Sequence, residues 1–87
     1  MSFVVGRWSN AEGGEIVEFT ADGSLIVRLG GEVLTAQRYA TQDNGAGAGR
    51  LALRSAEGGE VVLGYCVSGE ILAMSYGGQT TIYSRVP

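Results

Sequence analysis

Apolar and polar side chains alternate with a period of two along most of this 87-residue chain. Alternation of that kind marks strands with one face buried and the other solvated. Read between turn signals, it predicts eight strands: Phe3–Trp8, Glu15–Thr20, Leu25–Leu29, Glu32–Thr41, Arg50–Ser55, Glu60–Val67, Ile71–Tyr76 and Gln79–Val86. Their mean spacing of about 11 residues lies within the roughly 8 to 12 of all-β sandwiches and barrels. No window holds a helical period for long enough to predict a helix. The only proline is Pro87, so every strand keeps its full set of ladder donors.

The turns repeat as regularly as the strands. Gly13-Gly14, Gly30-Gly31, Gly58-Gly59 and Gly77-Gly78 each open an even-numbered strand. Glycine pairs supply the positive φ that tight hairpins demand. In a meander, all four pairs lie at one end. The other connections (Ala21–Ser24, a longer Gln42–Gly49 stretch, and Ser68–Glu70) lie at the opposite end. The expected fold is therefore all-β: a single domain over 1–87, an antiparallel up-and-down meander of about eight strands forming a small barrel, either closed or open at one seam. Gln42–Gly49 is superficially like a phosphate-binding glycine loop, but it has no lysine and no following helix, and it is expected to be a flexible connection.

Alternation assigns the faces. Trp8, Val17, Phe19, Leu25, Val27, Leu29, Tyr39, Leu51, Leu53, Leu63, Tyr65, Val67, Leu72, Met74, Tyr76, Thr81 and Tyr83 point inward. That is about as many side chains as an eight-stranded barrel can hold, so a filled interior is expected. Ile16, Ile26, Val62, Cys66, Ile71, Ala73 and Ile82 take the outer parity, which is unusually apolar for the outside of a monomer.

Composition removes much chemistry. The six basic residues are all arginine, and histidine and lysine are missing. Imidazole bases, histidine metal ligands and Schiff-base lysines are thereby excluded. One cysteine, Cys66, makes no internal disulfide. Neither catalytic residues nor a cofactor are expected. A net charge of -3 argues against nucleic acid. The apolar runs are too short to cross a membrane as a helix. The first residues, Met1 to Trp8, carry no charged leader, so a cytoplasmic location is expected.

Several short motifs resemble those of a known family. Gly6-Arg7-Trp8 resembles the Gly-x-Trp signature of lipocalins and related calycin barrels. Phe19-Thr20-Ala21-Asp22-Gly23 resembles the Phe-x-x-Asp-Gly hairpin of small bacterial lipocalin-like domains, which are mostly of uncharacterised function. Tyr65–Leu72 and Tyr83-Ser84-Arg85 are similar to the later hairpin and last strand of the same domains. The resemblance implies that Arg85 covers Trp8 and closes the base of the barrel. This chain is shorter than a full lipocalin and lacks its disulfides.

Two functional readings follow. In the first, the protein is a non-enzymatic interaction module, a homodimer formed through an outer apolar face that includes Ile71, Ala73 and Ile82. In the second, it carries a small hydrophobic ligand inside the barrel, where Tyr39, Tyr65, Tyr76 and Tyr83 would form the binding site. Glu12, Glu15, Glu32, Glu57 and Glu60 gather at the glycine-pair end, where Arg7, Arg28 and Arg54 balance them, so no metal is expected. Nothing in the sequence around Cys66 lowers its pKa, so it is not expected to be reactive.

Overall fold

The structure is a computed structural model that describes residues 3–10, 13–55 and 57–86. Eight strands follow one another: β1 (Gly6–Ser9), β2 (Glu15–Phe19), β3 (Ser24–Leu29), β4 (Glu32–Asp43), β5 (Ala48–Arg54), β6 (Glu60–Ser68), β7 (Ile71–Tyr76) and β8 (Gln79–Arg85). Each pairs antiparallel with the next, and β1 pairs back onto β8 to close the barrel. The predicted all-β meander is therefore the fold, and no helix occurs among the described residues.

The glycine pairs explain why the hairpins turn tightly. At Gly30-Gly31 and Gly77-Gly78 both residues have positive φ, as a two-residue type I′ turn requires. These turns join Leu29 to Glu32 and Tyr76 to Gln79, the last pairs of their ladders. The four glycine-pair turns mark one end of the barrel, here called the rim; the other three connections mark the base.

β4 is the longest strand because it serves its two neighbours in succession. Glu32–Arg38 pairs with β3, and Arg38–Asp43 pairs with β5. Such stagger is what closing a sheet into a barrel requires. A bulge between Val27 and Arg28 leaves Leu34 as an extra residue on β4, a feature that strengthens local twist.

The first, fourth and fifth strands end differently from expectation. Phe3–Val5 does not extend β1 but turns across the base, where Val4 is fully buried and its carbonyl accepts a hydrogen bond from Trp8 Nε1 at 2.9 Å. The predicted Gln42–Gly49 connection shrinks to Asn44–Gly47, because β4 and β5 extend into it. Asp43 Oδ1 accepts from the Gly45 and Gly47 amides, Asn44 Oδ1 from Ala46 and Ala48, and the Val67 amide donates to Gly47 O. The turn expected to be flexible is thus held by its own side chains.

The interior is filled unevenly. The buried side chains, Val4, Trp8, Val17, Phe19, Leu25, Leu51, Tyr65, Leu72 and Tyr83, occupy the base and the middle. Towards the rim, residues of inward parity stay open: Val61 is 40% exposed and Tyr76 62%. The barrel is a cup, packed below and shallow above.

Candidate functional site

The base is closed by one interlocked group. Trp8 and Arg85 are directly paired across β1 and β8, and the Arg85 guanidinium lies 4.2 Å from the centre of the Trp8 ring. A cation over an indole face contributes about 0.5 to 2 kcal/mol. Arg85 Nη1 also donates to Val5 O at 3.3 Å, and Nε stands 3.8 Å from Glu70. Gly6 leaves room for this: a Cβ there would come within 2.6 Å of Arg85 Nη1, and its φ is +137°. The Gly-x-Trp spacing therefore has a steric reason, which sequence inspection alone does not reveal.

The four tyrosines do not form one pocket. Tyr39 packs edge-on against Phe19 with centroids 5.0 Å apart, and its hydroxyl donates to Thr20 O at 2.7 Å. Tyr65 donates to Asp43 Oδ2 at 2.6 Å. Burial, and then the neighbouring Asp43 carboxylate, push the Tyr65 phenol up to about 12. The same hydrogen bond, reinforced by the Gly45 and Gly47 amides, lowers the Asp43 carboxyl. Tyr83 is buried, and its phenol is raised by burial and by the charge of Glu15. Tyr76 stands at the rim. Two hydroxyls are thus committed to the base, and only Tyr76 and Tyr83 border a shallow hollow of about 250 Å³ with Leu63, Met74 and Thr81.

Of the predicted outer apolar residues, Cys66, Ile71, Ala73 and Ile82 lie on the adjoining strands β6–β8, whereas Ile16 and Ile26 lie on β2 and β3. Ala73 lies opposite Ile82, Cys66 opposite Ala73, and Ala48 opposite Cys66, one continuous row across β5–β8. Ile82 is 52% exposed and Ile71, beside the row, 41%; Cys66, across Ala73 from Ile82, is exposed as well. A second row, Ala40, Ala52 and Val62, crosses β4–β6. Between the two runs a polar row of Gln42, Arg50, Gly64, Ser75 and Thr80. Arg50 makes no ion pair among the described residues. Ala40, Ala48 and Ala52 escaped sequence reading because each is too small to mark a face by itself; only the strand register aligns them with Ala73 and Val62.

Of the rim charges, Arg54 meets Glu60 at 3.3 Å, whereas Arg28 turns to Glu18, near the base end of β2, at 2.6 Å. Glu12 lies outside the described residues. Among the described residues, no group of three or more carboxylate or thiol side chains is arranged to hold a metal ion.

A larger cleft than the rim hollow lies elsewhere, at the base. It has a volume of about 660 Å³ and runs between Phe3 and Val5, the turn at Ala21, and β4 at Tyr39–Thr41, with Arg85 in its wall. Sequence reading missed it because Phe3 and Val5 were assigned to a strand.

No helix among the described residues is long and apolar enough to cross a membrane. Comparison of the chain with protein-family models, with curated proteins and with solved structures gave no match in any of the three.

Proposed function

We propose that the protein is a non-enzymatic binding module of lipocalin-like type that self-associates through the outer face of β5–β8. The observation that carries this reading is the row Ala48–Cys66–Ala73–Ile82, in which Cys66 and Ile82 are exposed and the two alanines half-buried, flanked by the exposed Ile71. Exposed contiguous apolar surface of this kind marks partner sites, and the small side chains allow a second sheet to approach closely. A stable interface takes about 800 Å² from each partner, more than one row supplies. The contact would therefore extend over the polar row to Ala40, Ala52 and Val62. The Trp8–Arg85 stack supports the lipocalin-like assignment. Size-exclusion chromatography with light scattering tests self-association: a dimer is expected, converted to monomer by Ile82→Glu. A wild-type chain that stays monomeric at high concentration sinks the reading.

A second reading, a carrier for a small hydrophobic ligand, is favoured by the open rim. There the hollow beside Tyr76 and Tyr83 measures about 250 Å³, below the roughly 300 to 1,000 Å³ of ordinary ligand pockets. Its ligand would have few heavy atoms. Displacement of a bound dye by short fatty acids, tight and saturable, is the expected sign; no displacement counts against it.

A further inference from the structure

We propose that the cleft at the base binds a small monocarboxylate with an apolar body, its carboxylate against Arg85. The cleft is separate from both the outer apolar face and the rim hollow, and its volume of about 660 Å³ suits a small molecule. Its walls are mostly apolar, from Phe3, Val5 and Ala21, and among the described residues Arg85 is the one charged side chain lining it. Phe3 is a large apolar side chain left exposed beside it. Arg85 is anchored through its ring contact with Trp8, but its polar contacts are long: 3.3 Å to Val5 O and 3.8 Å to Glu70. An incoming carboxylate offers the guanidinium a shorter, charge-assisted pair. β4 adds polar capacity. Its ladder with β3 ends at Ser24 opposite Arg38, and the Tyr39 amide bonds to Gly23 O. From there to Asp43, the β4 edge on that side pairs with no strand among the described residues.

Trp8, the only tryptophan, lies under Arg85 and reports on the site by its fluorescence. Titration with phenylacetate should give a saturable change at concentrations up to about 10 mM, with phenylacetamide at least about tenfold weaker. Amide shifts in NMR spectra should cluster on residues 3–5, 21–23, 39–41 and 85. Arg85→Gln should abolish the preference for the acid, and because that change can loosen the barrel, Ala21→Glu serves as the second variant. It sets a like charge on the cleft wall, in an exposed turn, and should weaken phenylacetate binding while leaving the fold intact. Equal binding of acid and amide overturns the proposal, as does the absence of saturation. Shifts confined to Leu63, Met74, Tyr76 and Tyr83 also overturn it and move the ligand to the rim. An Ala21→Glu variant that is folded and binds as before does the same for the location.

Discussion

Replacing Gly6 by alanine tests whether the base is locked by Arg85 on Trp8. The new Cβ would lie 2.6 Å from Arg85 Nη1, and the residue would have to hold a φ of +137°, which L side chains rarely adopt. Backbone strain of that kind costs about 1 to 3 kcal/mol. Displacing the guanidinium from its position 4.2 Å over the indole forfeits about 0.5 to 2 kcal/mol more. The combined loss, about 1.5 to 5 kcal/mol, is a large share of the roughly 4 to 13 kcal/mol expected for a domain of this size. It corresponds to a fall in Tm of about 6 to 40 °C. Urea unfolding followed by Trp8 emission measures it. The same substitution in an Arg85→Ala background separates the two costs: strain remains, while the clash and the lost ring contact disappear. Gly6→Ala should therefore cost about 0.5 to 2 kcal/mol less there. An equal cost in both backgrounds, or less than about 0.5 kcal/mol in the wild type, refutes the lock.

Leu51→Ala removes a side chain that is 0% exposed and should cost about 2 to 5 kcal/mol in urea unfolding. Val61→Ala, at the open rim and 40% exposed, should cost about 1 kcal/mol or less; equal costs would contradict the half-filled cup. Gly49→Ala would drive a Cβ into Gln42 O, and the resulting shift should speed hydrogen exchange at the Val67 amide, which donates to Gly47 O. The folded chain holds the Tyr65 proton more tightly than the unfolded chain, with a pKa raised from 10.0 to about 12. That stabilisation is complete below pH 10 and is lost as pH rises from 10 to about 12. The lowered Asp43 carboxyl has the opposite sign, its contribution being present above about 3.8 and lost on acidification below it. In a phenolate absorbance titration Tyr65→Phe should remove the step near pH 12; identical curves above pH 11 would falsify the Tyr65–Asp43 contact.

Local chemistry made most of the architecture legible. Alternation in Leu25–Leu29 or Leu63–Val67 needs no distant partner to be recognised, since each side chain's face follows from its place along the strand. The glycine pairs are equally local, because positive φ is a property of single residues. The site was legible only in part. Ile71, Ala73 and Ile82 were visible as apolar side chains of the wrong parity. Trp8 and Arg85 were visible as a resemblance whose reason, the open space at Gly6, was not.

What the chain alone determined is therefore the number of strands, their order, and the face on which each side chain stands. The tertiary structure decided how they are offset. Closure of β1 onto β8 sets a stagger that no single segment encodes, because it arises from all eight registers together. That stagger leaves Val61 and Tyr76 open at the rim while burying Leu51 and Leu72. It also aligns Ala48 with Cys66 and carries β4 past the end of β3. Phe3–Val5 shows the limit most clearly. Its apolar run is compatible with a strand, and only the unfilled base of the closed barrel, which Val4 plugs, turns it inward.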